Sequence, residues 1–162
     1  MSDKLTFLLR WIVITGLPLV VVLTSARVLV TPWYPSYEYA KADFPPDPFG
    51  FTLGQRLELA RAAIDYLNTG GAPAEHIYML EELRLPGTAR PLYSPREISH
   101  MIDVKTFTDL LWRVYGVAAL LVSGSFVALY ARHSTRPVAM GAVRTGGLVT
   151  VSLLGALLFF VL

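Results

Sequence analysis

The chain is 162 residues long, 54% hydrophobic and only 16% charged, where a soluble domain of ordinary composition carries about 25% charged residues. With no cysteine anywhere, a disulfide framework, a thiolate metal site and a thiol nucleophile are excluded. The sequence pI near 9.0 points to nucleic acid only where basic residues gather in one polar patch; here they sit at the ends of apolar runs, so no nucleic-acid partner is expected.

The first apolar run, Trp11 to Val30, is long enough to cross a hydrocarbon core that needs about 20 apolar residues. Gly16 and Pro18 within it are tolerated in membrane helices. An alternative reading is a cleaved signal peptide, with Thr24-Ser25-Ala26 offering small residues after an apolar stretch. Trp33, Tyr34, Tyr37 and Tyr39 follow as an interfacial aromatic belt. Five prolines between residues 31 and 50 are expected to forbid a regular helix and to leave an extended chain along the membrane surface.

Leu53, Leu57, Ala60, Ile64 and Leu67 recur at helical spacing and predict an amphipathic helix over Leu53 to Asn68, ended by Thr69-Gly70-Gly71 with a glycine available for a left-handed cap. Residues 75–84 fit a short helix or a strand equally, and Gly87 to Pro91 reads as a turn. Ser94-Pro95-Arg96-Glu97 then spells a capping box with proline at the first helical position. Nothing breaks the helix that follows, so Pro95 to Ala131 is expected to be nearly one helix whose first three turns precede the second apolar run, Leu110 to Ala131. The third run, Thr145 to Leu162, ends without a flanking charge or aromatic belt.

Lys4 and Arg10 precede the first run, and Arg132, Arg136 and Arg144 crowd the connection between the second and third. Positive residues in short loops stay on the cytoplasmic side. The expected fold class is therefore a membrane all-α protein. It has a cytoplasmic N-terminal tip with transmembrane helix 1 over 1–30 and a mostly helical extracytoplasmic segment over 31–107. Helix 2 follows over 108–131, a basic cytoplasmic loop over 132–144 and helix 3 over 145–162. The outer segment holds ten acidic and seven basic residues, as an external segment can. The expected location is the cell membrane, multi-pass, with membrane lipids as partners.

The stretch Arg96 to Lys105, REISHMIDVK, is the most informative for chemistry. At about 100° per residue, Arg96, His100, Asp103 and Phe107 share one stripe. An imidazole with a carboxylate one turn away suits a general base: the acid fixes the ring tautomer and supports the cation that forms. Arg96 suits an ester carbonyl or a phosphate. Lys105 points away from His100 and is assigned to lipid phosphate or to anchoring the helix. Glu97 already has its capping role, and the bland reading of the whole stripe is a solvated helix face. His76 is a weaker candidate for substrate binding, and His133 falls in the basic loop. Because His133 is expected on the opposite side, the three histidines cannot meet as a metal site. Neither a phosphate-binding glycine loop, a dinucleotide fingerprint nor a serine-nucleophile elbow is present.

Two stretches, DPFGFTLGQRLELARAAIDYLN (Asp47 to Asn68) and, more specifically, LYSPREISHMIDVK (Leu92 to Lys105), resemble a family of bacterial integral membrane proteins that includes the lipoprotein intramolecular transacylases. Glu97, His100, Met101, Asp103, Val104 and Lys105 match its pattern. The resemblance implies an acyltransferase that moves an O-acyl chain from the glyceryl group to the α-amine of a lipoprotein's N-terminal cysteine. It also implies His100 as a catalytic residue, a lipoprotein substrate and no cofactor. Family members have four membrane helices and a second important histidine beyond the third, so the chain is expected to be a C-terminally truncated form of a four-helix protein. The reading from a different class is a non-catalytic membrane protein whose outer segment, rich in aromatics and proline over Thr31 to Phe49, binds a partner or a lipid.

Overall fold

The computed structural model describes residues 1–85 and 87–161; Leu162, the last residue of the third expected span, lies outside them. Among the described residues the regular elements are helices, with one isolated antiparallel bridge between Arg84 and Pro91. The helices are α1 (Asp3–Leu29), α2 (Trp33–Tyr39), α3 (Leu53–Asn68), α4 (Tyr78–Glu81), α5 (Pro95–Tyr130) and α6 (Arg136–Val161). Short 3₁₀ turns occur at Pro73–Glu75 and His133–Thr135. Three helical stretches are long and apolar enough to cross a membrane: α1, α5 and His133–Val161, which contains α6. The chain divides into two compact units, residues 1–25 with those from 112 on, and residues 26–111.

In the first unit, α1, α5 and α6 meet through a small buried cluster of Val13, Ile14 and Ala142, with Phe126 packed against it. Small residues set the approach. A Cβ on Gly16 would lie 2.5 Å from a methyl of Val122, and one on Gly146 would lie 3.2 Å from the carbonyl oxygen of Ile14. That carbonyl belongs to the residue four before Pro18, which has no N–H to give it. Close backbone approach of glycine to a helix neighbour is how apolar helices pack where burial in lipid offers no hydrophobic gain. Thr150 is buried but returns its hydroxyl to the carbonyl of Gly146 at 2.8 Å. The remaining large apolar side chains of α6, from Val151 onward, are exposed.

The second unit has larger side chains at its centre. Tyr66, Ile77 and Leu80 are buried, and Leu67, Met79, Leu83, Tyr93, Ile98, Met101 and Ile102 pack around them. The helix over Leu53–Asn68 forms as the spacing predicts; a side-chain cap fixes its start, and its end differs from the expected glycine cap. Thr52 accepts from the Gln55 amide while the Gln55 side chain accepts from the Thr52 amide, a full capping box. At the other end Thr69 is extended and caps through its own N–H and hydroxyl to Asp65, and the positive φ falls at Gly71 rather than directly after the cap. The stretch over 75–84 contains the short helix α4 and ends at Arg84 in the bridge to Pro91, and Leu83 with Leu92 and Leu85 with Arg90 pair by backbone bonds around the turn at 87–91.

Two expectations about local structure fail. The proline-rich stretch contains α2, because Pro32 is the N-cap and Pro35 lies in the first turn, where the missing N–H would have had no intrahelical acceptor. The connection between α5 and α6 is residues 131–135, with the 3₁₀ turn over His133–Thr135, rather than a loop to residue 144. Here α6 starts at Arg136 with Pro137 at its second position, and Thr135 and Arg136 close the turn by donating to the carbonyls of Leu129 and Tyr130. The rest of the 31–50 segment is organised by Arg56. Its guanidinium lies 5.4 Å from the Tyr39 ring centre and 5.1 Å from that of Phe44, and donates to the Pro45 carbonyl.

Candidate functional site

The start of α5 is fixed by the capping box expected from its sequence. The Ser94 amide donates to Glu97 at 2.7 Å, and the Glu97 amide donates to the Ser94 hydroxyl at 3.3 Å. From there the helix has two distinct faces. Ile98, Met101 and Ile102 pack on the Tyr66–Ile77–Leu80 cluster, and Lys105 and Thr108 continue that buried line. Arg96, His100, Asp103 and Phe107 occupy the other face, all exposed. The period of 3.6 residues therefore does what the pattern implied: it sets the hydrophobic anchors inward and presents the imidazole and carboxylate together outward.

The four side chains of the outward stripe make no hydrogen bond or ion pair with another described residue. His100 and Asp103 share a face without touching. An imidazole held this way is free to take a proton from an external group, and a carboxylate three residues on can turn to meet the resulting cation. Beside the stripe, Glu97 lines a cavity of about 670 Å³ with Phe49, Phe51, Gln55, Leu85 and Leu92.

Of the two roles expected of Lys105, lipid phosphate or anchoring of the helix, its placement fits the second. Its side chain is fully buried, not turned to lipid phosphate. The ammonium donates to the carbonyl of Thr69, at the C-terminal end of α3, sits 3.4 Å from Asp109 and lies 5.7 Å from the Tyr66 ring centre. The reason is geometric: five residues after His100 the side chain stands about 140° around the helix axis from it, toward the packed side. A buried ammonium needs partners, and a helix C-terminus supplies carbonyl dipoles of the right sign. Tyr66, fully buried beneath, gives its hydroxyl to the Pro73 carbonyl. Burial, and then the nearby Asp109 charge, raise its phenol above the ordinary tyrosine range. The sequence offers one signal for this arrangement, the Lys105–Asp109 spacing of one turn, but nothing that names Thr69 as the acceptor.

His76 is half-buried at the end of the 3₁₀ turn and its ring is 6.3 Å from that of Tyr78. Its Nε2 occupies the space a Cβ on Gly71 would need, at 2.8 Å, and Gly71 has φ of 96°. Both observations require glycine there. No hydrogen bond or ring contact joins His76 to His100. Among the described residues no group of three histidines or carboxylates is placed to hold a metal ion.

No family model matches the chain, and no solved structure matches it. An uncharacterized protein of Aquifex aeolicus (strain VF5) is 28% identical over 104 residues, which is 64% of this chain and 46% of that protein. The chain thus spans about half the length of the relative it matches.

Proposed function

We propose that this protein is a membrane-embedded acyltransferase acting within one lipoprotein molecule, moving an O-acyl chain to the N-terminal cysteine amine. The observation that carries the reading is the exposed, unpartnered pair His100 and Asp103 on capped turns that directly precede the apolar run of the same helix. The resemblance of Leu92 to Lys105 to the transacylase family supports it from the sequence side.

The chemistry follows from the groups. The attacking amine has a pKa near 8 and is mostly protonated at neutral pH. His100 takes its proton, the nitrogen adds to the ester carbonyl, and Arg96 faces the oxyanion that forms. The tetrahedral intermediate then gives up the second proton of its nitrogen to water and collapses: the carbon–oxygen ester bond breaks, the amide bond remains, and His100 returns its proton to the departing glyceryl oxygen. Asp103 turns toward the imidazolium and stabilises it. Amine and ester belong to one substrate, so holding them together removes much of the entropic barrier, and neither a cofactor nor an energy source enters the balance.

The test is mass spectrometry of the N-terminal lipopeptide from cells lacking other N-acylating enzymes and expressing the whole reading frame. An N-acyl, mono-O-acyl lipopeptide is expected with the wild type, and His100→Ala is expected to lower its rate of formation by about 10²–10⁴, the usual cost of losing a general base. Unchanged conversion with His100→Ala removes His100 from the mechanism, and an unmodified diacylglyceryl form with the wild type removes the activity.

The reading places residues 31–107 outside the cytoplasm, as the positive flanks of the apolar runs require. The chain has no cysteine, so single cysteines report without background. Glu58→Cys, exposed in α3, is expected to react with an impermeant maleimide on intact cells, while Ser134→Cys, exposed between α5 and α6, is expected to react only after lysis. The reverse pattern overturns the topology.

A second reading, a binding surface without chemistry, is favoured by one observation. Trp33 and Tyr37 stack at 5.3 Å with 60% and 55% of their surface exposed, as at recognition patches. Loss of a co-purifying partner on Trp33→Ala, with lipopeptides unaffected by His100→Ala, selects it over the enzyme.

A further inference from the structure

A groove of about 410 Å³ runs along the first unit, lined by Leu19 of α1 and by Arg113, Val114, Val117, Ala118 and Leu121 of α5. Arg113 is exposed, and its guanidinium makes no hydrogen bond or ion pair with another described residue. Arg113, Val117 and Leu121 follow one another at four-residue steps, and Val114 and Ala118 form the adjacent row, so the cation stands at the head of an apolar channel rather than across it. Leu19, Val114, Val117 and Leu121 remain 40 to 59% exposed, leaving room against their side chains.

The position of the arginine selects the occupant. It lies three residues inside the apolar run that opens at Leu110, a depth of about 5 Å along the helix. A guanidinium at that depth is costly without an anion, and no carboxylate meets it. From that depth a long arginine side chain reaches back to the level of lipid phosphates. A planar guanidinium binds phosphate oxygens in pairs, and an ammonium-bearing headgroup would bring a like charge beside it.

We propose that this groove is a binding site for one anionic phospholipid, its phosphate on Arg113 and one acyl chain along Val114, Val117 and Leu121. The site lies on residues that the acyl transfer does not use, and its occupant is a membrane lipid rather than the lipoprotein substrate.

The full chain, purified in mild detergent, is exchanged separately with phosphatidylglycerol and phosphatidylcholine and examined by native mass spectrometry. One phosphatidylglycerol is expected to survive activation that strips the detergent, at five-fold or greater occupancy over phosphatidylcholine. Arg113→Gln is expected to remove that preference, and Val117→Trp, which fills the channel, to reduce both lipids. Arg144→Gln, another exposed arginine on an apolar helix, is expected to leave the preference intact. Millimolar inorganic phosphate is not expected to displace the lipid. Equal retention of the two lipids, wild-type preference in Arg113→Gln, loss of preference in Arg144→Gln, or displacement by phosphate each overturns the site. Thermal melting of each variant in the same detergent separates loss of the lipid from loss of the fold.

Discussion

The two units of this chain solve the packing problem with different side chains. The unit built from residues 1–25 and from 112 on buries Val13, Ile14, Leu23, Val122, Leu129, Ala139 and Ala142 and leaves most of its leucines, valines and phenylalanines outside. Its close contacts are made by glycines against a neighbouring backbone or methyl. The unit of residues 26–111 buries a tyrosine, a leucine and an isoleucine and encloses a lysine. The contrast is the one that two different solvents would produce. Where lipid surrounds a helix, moving a leucine from lipid to protein gains little, and shape and close approach decide. Where water surrounds it, removing large apolar area is the main driving force, and any buried polar group has to be partnered, as Lys105 and the Tyr66 hydroxyl are.

Substitutions sharpen that contrast. The largest expected effect is in the unit of residues 26–111: Leu80→Ala leaves a void beside Tyr66 and Ile77, for a loss of about 2–5 kcal/mol, read by reversible unfolding of the full chain in detergent. A loss below 1 kcal/mol would mean that the cluster around Tyr66 is loosely packed. Lys105→Met comes next. It keeps the length of the side chain but strands the Thr69 carbonyl, an unsatisfied buried acceptor costing about 1–3 kcal/mol. Because Asp109 keeps a quarter of its side chain exposed, little of that cost is assigned to the ion pair. A neutral or stabilising result would show that packing alone holds α3 to α5. The smallest effect distinguishes neighbouring glycines of α6. Gly146→Val drives a Cβ against the Ile14 carbonyl and the Leu17 side chain, and about 1–3 kcal/mol of strain is expected. Gly147→Val, which meets nothing within 4 Å, is expected to change stability by less than about 0.5 kcal/mol. Equal effects at the two positions would remove the close-approach argument.

Part of the candidate site was legible before any coordinates. The Ser94–Glu97 box placed the start of α5, and the helical period then put His100 and Asp103 on one face with the core anchors on the other. Those inferences depend on residues within two turns of each other. Less accessible was the state of that face: the period says that two side chains are neighbours, not that they leave each other unpaired. The Thr52–Gln55 cap was equally local and readable in principle, since a threonine followed three residues later by glutamine before an apolar-periodic run is the standard sign. In the proline-rich stretch the position of each proline, not their number, decides whether a helix forms. Pro32 and Pro35 sit where a helix start tolerates them.

By itself the sequence determined what depends on short-range pattern: three helices with the length and apolarity to cross a membrane, the span of α3 and the near-unbroken course of α5. Hydrophobic run length, helical period and capping residues are properties of neighbours along the chain. Only the tertiary structure decided that Lys105 turns its ammonium to the end of α3 36 residues away, that Arg56 gathers Tyr39, Phe44 and Pro45, and that Gly146 rather than Gly147 is the contact glycine of α6. Each of those depends on which distant backbone stands opposite a given side chain, and a one-residue shift around a helix, about 100°, exchanges a buried partner for solvent or lipid.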